Sequence, residues 1–426
     1  MRSPLPPSLY AETAGPGMEA PPLHSDARAS VAVVGGGFTG LSTALHLAER
    51  GTDVVLIESH EPGWGASGRN GGQVNPGLKH DPDEITHDFG ADRAGRMIAF
   101  SGSAPELVFR LIERHQIVCE ARQGGTLRAA RSATAARAVA AAAAQYAKHG
   151  APVTLLDRAG IAAATGTGLY ACALLDRRGG SVNPLGYARG LARAARNAGA
   201  RIHGGTPALG LSQAAGGWRI ATPHGTVQAE QVVLATNGYT DALWPGLAQS
   251  IVPVRSMIAA TEPLAPAIAA TVLPGRSVLW EQAGVTVYYR VTEDNRLLMG
   301  GRSPSRELRG EHDGRTLVRL AETRWPALAG VRWTHLWNGT LAISADHYPH
   351  LHELASGLFA CLAYNGRGVA MATAMGSEIT ARLCGAAEAD LAMPLAPLRP
   401  IPFHRFWRAG VAIRVARGQF ADRLGL

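Results

Sequence analysis

Gly35-Gly-Gly-Phe-Thr-Gly40, with the acid Glu58 further on, is a set of residues able to hold a dinucleotide. Each type has a physical task. Gly35 permits a tight turn, Gly37 lets backbone N–H groups approach a pyrophosphate, and Gly40 lets a helix pack close to a strand. The N-terminus of the helix that follows this turn, in which Phe38 and Thr39 are further candidate contacts, aims amide donors and positive dipole at the phosphates. The Glu58 carboxylate lies at the distance that suits a ribose hydroxyl pair.

Two more glycine-rich runs follow. Gly63-Trp-Gly-Ala-Ser-Gly-Arg-Asn-Gly-Gly-Gln73 has five glycines in eleven residues, which excludes a regular element and favours close backbone approach. It leaves the carboxyl end of a strand, so it is expected to cover the ligand. Its candidate contacts are Trp64, Gly65, Ala66, Ser67, Arg69, Asn70, Gly71, Gly72 and Gln73. Arg69 and Asn70 suit a ring system or an anion, and Trp64 argues against a mobile solvated loop. Tyr364-Asn-Gly-Arg-Gly368 stands between an apolar strand, Leu358–Ala363, and a helix, Val369–Cys384. Asn365, Gly366, Arg367 and Gly368 either aim a helix dipole at a ligand or simply start a helix, two readings of equal weight.

The elements that must hold these turns can be read from periodicity. Val31–Val34 and Val54–Ile57 are short apolar strands, and Leu41–Arg50 is the helix between them, closed by Gly51. Asp83–Gln116 and the Ala-rich Ala129–Gly150 are helical, and a second helix lies within Val153–Gly168. Asn183-Pro184 caps and starts a helix that ends at Gly199, with Arg189, Arg193 and Arg196 expected in solvent. Trp218–Gln228 reads as a hairpin. Gln231–Thr236 is a buried strand ending in Asn237-Gly238, at the sheet edge where ligands of such sheets bind, which adds Thr236, Asn237 and Gly238 to the candidates. From Val252 to Gly301, strand-like runs alternate with short turns, which indicates an antiparallel sheet in a second domain.

The expected fold is therefore α/β: a Rossmann-like domain on a central parallel sheet, plus an α+β domain with an antiparallel sheet. The expected division is an N-terminal Pro-rich arm (1–29), a discontinuous first domain (30–118, 181–245, 335–386), a second domain (119–180, 246–334) and a basic C-terminal tail (387–426). The Leu9-Tyr10 pair could dock the arm. In the tail, Phe403, Phe406, Trp407 and Val411 fall on one side among arginines; packing back on the protein is favoured over a membrane-surface role.

The net charge of +8 comes from scattered bases with no run interleaved with aromatics, which speaks against nucleic acid. The four cysteines lack metal-ligand spacing, and Cys119, Cys361 and Cys384 read as buried thiols. Met1–Leu23 has no apolar signal core and no apolar run is long enough to span a bilayer, so a cytoplasmic location is expected. No metal cluster or catalytic triad is evident.

Together, Val33–Glu58, the 63–73 loop, Val232–Gly238 and Leu358–Gly376 resemble the D-amino-acid-oxidase superfamily of FAD-dependent oxidoreductases, most of all its γ-glutamylputrescine oxidoreductase branch. The Tyr10 region, the end of the strand Leu297–Gly301 and the segment 337–349 share in the likeness. The resemblance implies FAD, bound without a covalent link because the 63–73 loop has neither cysteine nor histidine and Thr340–Ser344 has no cysteine. It adds Ala208 to the cofactor contacts, and it aims the helix after Gly368 at the flavin edge where charge gathers on reduction. It implies hydride transfer from an amine or amino acid to flavin N5, imine hydrolysis, and reoxidation by O2 with release of H2O2. Arg69, Tyr288 and Arg290 are the substrate-pocket candidates; an equal reading pairs Arg290 with Glu293 or Asp294. His347 reads as structural. A dehydrogenase that passes electrons to a quinone or carrier, and a flavin- or nucleotide-binding protein without turnover, remain the competing expectations.

Overall fold

The strand Ala27–Val34 lies inside a largely parallel sheet. A computed structural model describes residues 4–424. The strand order is His350–Ala355, Leu358–Leu362, Gly225–Leu234, Ala27–Val34, Val54–Ile57, Arg201–His203. Val34 aligns with Ile57 on one side and Leu234 on the other. Val31–Val34 and Val54–Ile57 are buried on both faces, which explains their unbroken apolar runs. Gly225–Leu234 does double duty: it pairs in parallel with Ala27–Val34 from Val227 to Leu234, while on its other edge the first half closes the hairpin with Gly217–Thr222 and the last residues meet Leu358–Leu362. His350–Ala355, antiparallel at the edge, is a strand that its two histidines hid from the hydrophobic pattern.

Helices cover one face of this sheet. Phe38–Ala48 and Gly368–Leu383 touch so closely that a Cβ on Gly376 would come 2.5 Å from the Cβ of Ser42. The Ser42 hydroxyl donates to Thr373 O at 2.7 Å across that contact.

The second sheet runs Trp333–Ile343, Val252–Thr261, Leu297–Arg302, Tyr288–Val291, Val278–Glu281, Thr126–Ala130, Cys172–Asp176, Val153–Leu156. It is antiparallel except where Val278–Glu281 meets Thr126–Ala130. One face packs on the helices Arg158–Thr165 and Arg315–Arg324 around Tyr289 and Trp325. A buried pair, Glu281 with Arg324, crosses that core and is satisfied by Tyr170, whose hydroxyl donates to Glu281 Oε1 at 2.6 Å.

The structure departs from the sequence reading in several places. The expected boundary at 334/335 falls within the strand Trp333–Ile343, which pairs along Val252–Thr261 in the second sheet. Cys119 and Cys361 are buried, but Cys384 is exposed because it follows the last turn of its helix. Arg189 and Arg193 are not free in solvent: they donate to Gly15 O at 2.7 Å and Pro16 O at 3.0 Å, and so hold the arm. Arg189 also meets Glu61 at 3.1 Å. The short helix Leu9–Thr13, capped by Ser8, seats Leu9 and Tyr10 among Leu185, Ile258, Leu298 and Trp337. No helix among the described residues is long and apolar enough to cross a membrane.

Candidate cofactor and substrate site

The first glycine turn is built as its residue types require. Gly35 has φ +110°, and a Cβ there would come 2.8 Å from Ala235 O. A Cβ on Gly40 would lie 2.0 Å from Gly35 O, so this contact between helix and turn admits glycine alone. Gly37 is different: its backbone is extended, and its Cβ would meet only the Ser67 hydroxyl, at 2.9 Å. Its space is therefore open toward the ligand side. The helix makes its first internal bond from Leu41 N–H to Gly37 O, so the amides before Leu41 have no intrahelical acceptor. The Phe38 N–H donates to Ser67 Oγ at 2.9 Å. Glu58 is aimed at the same turn, with Oε2 accepting Gly36 N–H at 2.6 Å and Oε1 accepting His60 N–H at 2.9 Å.

This turn opens into a cavity of about 960 Å³. The volume is that of a large ligand site. Its walls are the 37–39 turn, the 66–71 loop, the 364–368 turn, one face of the second sheet and the C-terminal segment 401–415. The glycine turns are tied together. Tyr364 OH and Thr39 Oγ1 share a buried hydrogen bond. Ala363, Asn365 and Gly366 all have positive φ, and Asn365 anchors the turn by accepting Ser344 N–H at 3.0 Å and donating to Ala363 O at 2.6 Å. The following helix, Gly368–Leu383, points its N-terminus at the cavity. Arg367 donates to Pro76 O at 2.7 Å and lies 5.1 Å over the Trp280 ring.

Other expected contacts have supporting positions. Asn237 Oδ1 accepts Ala363 N–H at 2.9 Å, which joins the ends of two parallel strands at the cavity. Thr236 bonds to Thr240, Gly238 packs on Thr340 O, and Ala208 packs on the apolar cluster of the first sheet. Asn70 folds the loop, donating to Ser67 O at 2.9 Å and accepting Gly72 N–H at 2.8 Å. Gln73 ties it to the second sheet through Leu279 O at 3.0 Å. Trp64 stacks on His60 and donates to Pro4 O at 3.1 Å, on the side of the arm. Gly65 lies against the Tyr239 ring.

The three substrate candidates separate. Tyr288 lines the cavity; its hydroxyl is 2.9 Å from Ser256 Oγ, and burial pushes its pKa up to about 12, so it is a neutral phenol. Arg69 also lines the cavity, but its guanidinium lies 4.5 Å over Trp64 and donates to Tyr239 OH at 2.6 Å. Arg290 does not reach the cavity. It shares the Tyr288 face of the strand, as alternation requires, but the loop covers it there: Nε donates to Gly71 O at 2.8 Å, beside Tyr10. It does not pair with Glu293 or Asp294; Asp294 binds Arg296 at 2.7 Å.

Arg302, which the sequence reading missed, also faces the cavity, and its guanidinium has no hydrogen bond or ion pair among the described residues, whereas Arg69, Arg367 and Arg414 on the same walls are held by Tyr239 OH, Pro76 O and His347. Tyr288 aligns with Gly300, and Ser256 with Arg302, so Tyr288, Ser256 and Arg302 share one face. Burial lowers the Arg302 pKa, the mark of a desolvated charge. The signal was present: strand alternation carried on past Gly300-Gly301 reaches it. His347 and Trp280 also line the cavity, and His347 meets Arg414 at 2.9 Å. Lys79 stands at the rim with open surface on one side. Burial, then Arg367, Arg128 and Arg414, lower its pKa, an effect that solvent at the rim moderates. No acidic or histidine cluster among the described residues could hold a metal ion.

A glycine cradle at a helix start, an acid on the next strand and a long cavity under a second sheet define a dinucleotide-dependent oxidoreductase of the flavoprotein kind. The chain belongs to the DAO family of FAD dependent oxidoreductases, which matches residues 30–382. It is 32% identical over 426 residues to gamma-glutamylputrescine oxidoreductase of Escherichia coli (strain K12), covering 98% of this chain and 99% of that one. It is 33% identical to the probable oxidoreductase OrdL of Rhizobium meliloti (strain 1021), covering 88% and 85%. Among solved structures, glycine oxidase from Geobacillus kaustophilus superposes with a TM-score of 0.73 at 22% identity, over 88% of this chain and 99% of that one, a likeness of fold. The cofactor is thus FAD, and the protein is an FAD-dependent oxidoreductase. The cradle fits that group: Gly37 has open space, and the amides before Leu41 lack helix acceptors.

Proposed function

We propose that this enzyme oxidises a carbon–nitrogen bond in an amine or amino acid that also bears a carboxylate, with that carboxylate on Arg302. The observation that carries the reading is the half-buried Arg302 guanidinium, without a hydrogen bond or ion pair among the described residues, on the cavity face beside Tyr288 and Ser256. A fork of donors suits a carboxylate. The name of the E. coli relative, gamma-glutamylputrescine oxidoreductase, supports a γ-glutamyl amine, a class with both groups.

FAD, when bound, accepts the electron pair and hydrogen of the amine carbon as hydride. The chain's own residues position and enclose. Arg302 anchors the far end of the substrate, which fixes which carbon faces the cofactor. Tyr288, held neutral by burial, offers a hydroxyl as a hydrogen-bonding partner rather than a base. An amine that enters as the free base needs no protein base. The segment 401–415 closes the cavity wall and limits water there.

The proposed attachment of FAD is non-covalent. Cys361 is buried and hydrogen bonded to Tyr364, and burial pushes its thiol up to about 12, so it supplies no thiolate. Acid precipitation is expected to release the yellow colour; colour kept in the pellet overturns this. The proposed electron acceptor is O2. The central test is anaerobic flavin bleaching by a panel of amines, amino acids and γ-glutamyl amines. Bleaching by the carboxylate-bearing members is expected, followed by peroxide on readmission of air. A flavin that no member reduces refutes the proposal.

A further inference from the structure

The C-terminal helix has two faces of opposite use. Trp407–Leu424 follows a short turn at His404–Phe406 that is pinned by the His404 ring on Ile251 O at 2.7 Å. Trp407, Val411 and Val415 turn inward and wall the cavity, and Gly418 approaches Gly284. The outward side carries Phe406, Ile413 and Phe420, which repeat at one-heptad spacing and so form a stripe; Phe406 and Ile413 also edge the cavity, whereas Phe420 lies clear of it. These side chains are 56%, 63% and 64% exposed, and Phe403 just before them is 80% exposed. Among the described residues, the exposed phenylalanines all fall in this segment.

The charge around the stripe has one sign. From Asp390 to Asp422 the chain has no acid, while Arg399, Arg405, Arg408, Arg414 and Arg417 lie between. Arg414 turns to His347; the Arg405 guanidinium lies 4.7 Å from the exposed Phe406 ring, and that of Arg408 lies 5.4 Å from the inward Trp407 ring.

We infer that the outer face of this helix lies in the surface of an anionic lipid bilayer. Apolar rings enter the interface while arginines meet phosphate headgroups, the pattern of an interfacial amphipathic helix. A second copy of the chain suits the face less well, because symmetric pairing would set arginines against arginines with no carboxylate from 391 to 421 to separate them. The helix would then lie between bilayer and cavity, holding the protein at the surface without crossing it.

The test is co-sedimentation of the full-length FAD-loaded protein with vesicles of phosphatidylglycerol and phosphatidylcholine, and with phosphatidylcholine alone. Binding is expected to the anionic vesicles and to fall steeply with salt. Phe420→Ser alters an exposed side chain outside the cavity wall and is expected to weaken that binding at least about tenfold, with FAD content unchanged. Arg405→Glu with Arg408→Glu is expected to abolish the preference for anionic lipid. No binding to either vesicle, equal binding to both, or binding indifferent to Phe420→Ser overturns the inference. So does a dimer in light scattering that Phe420→Ser converts to monomer.

Discussion

Gly37 and Gly40 lie three residues apart in one turn, yet the structure assigns them different work, and substitution separates the two. At Gly40 an added Cβ would lie 2.0 Å from Gly35 O and 3.1 Å from Val33 Cγ1. The first neighbour is backbone, locked by Gly35 N–H on Ile57 O at 2.9 Å, so helix and strand must part. Overpacking costs about 1–3 kcal/mol where neighbours can yield; here the upper end or beyond is expected for Gly40→Ala. At Gly37 the backbone is extended, a region that valine favours, and the neighbour is the tip of the Ser67 side chain. Turning Ser67 away removes the hydroxyl that accepts Phe38 N–H, a loss of about 1 kcal/mol, as for a helix cap. The Gly37→Val fold should therefore survive, while the branched side chain fills the space where phosphate oxygens must come. Losing even two charge-assisted hydrogen bonds costs about 3–6 kcal/mol, or roughly 10²- to 10⁴-fold in affinity. The assay compares flavin absorbance per protein and denaturant midpoints without added FAD. Gly37→Val should be folded and colourless, Gly40→Ala destabilised whether or not FAD is supplied. A Gly37→Val protein with a full complement of flavin, or a Gly40→Ala protein with the parent midpoint, refutes the reasoning.

Arg302→Met should lower kcat/KM about 10- to 150-fold for a carboxylate-bearing amine, the value of about 1.5–3 kcal/mol for a bond to a charged group, and leave a carboxylate-free amine of equal length nearly unchanged. Equal losses on both substrates would remove Arg302 from the substrate site. Glu281→Ala should destabilise the second sheet by about 3–5 kcal/mol, because Arg324 is left as an unpaired buried charge; urea unfolding at neutral pH measures it, and a change below about 1 kcal/mol contradicts it. His352 adds a pH dependence. Burial lowers its pKa to about 4 and its Nδ1 lies 2.6 Å from Ala396 O, so it stays neutral when folded, whereas the unfolded chain takes up a proton below about 6.5. Stability contributed by this group is therefore full above pH 6.5 and falls as pH drops toward 4, by up to about 3 kcal/mol. His352→Gln should flatten that part of the stability profile, and an unchanged profile counts against it.

Local patterns made the cofactor half of the protein legible. Strand, glycine turn and helix are adjacent in the chain, and each glycine's task follows from backbone sterics, so Gly35, Gly37, Gly40 and Glu58 could be placed by spacing. The 364–368 turn was legible for the same reason, although only the fold brings Tyr364 to Thr39. The substrate half was hidden because its geometry comes from register between distant strands. Alternation along Tyr288–Val291 correctly put Tyr288 and Arg290 on one face, but it could not show that the 63–73 loop, tied by Gln73 to Leu279 O, would cover one and leave the other open. Arg302 and Ser256 became a pair through antiparallel alignment of segments that sequence distance says nothing about. Arg193 looked solvated because its acceptor is a backbone carbonyl of the arm, which leaves no trace in side-chain pattern, and Arg189 because it adds to such a carbonyl only the distant carboxylate of Glu61. The C-terminal helix showed its amphipathic composition in sequence; that its inner face walls the cavity was decided by packing alone. What is near in the chain was set by residue type and spacing. What converges from far apart, including the open guanidinium at the cavity, was decided by strand register and by which surface each loop covers.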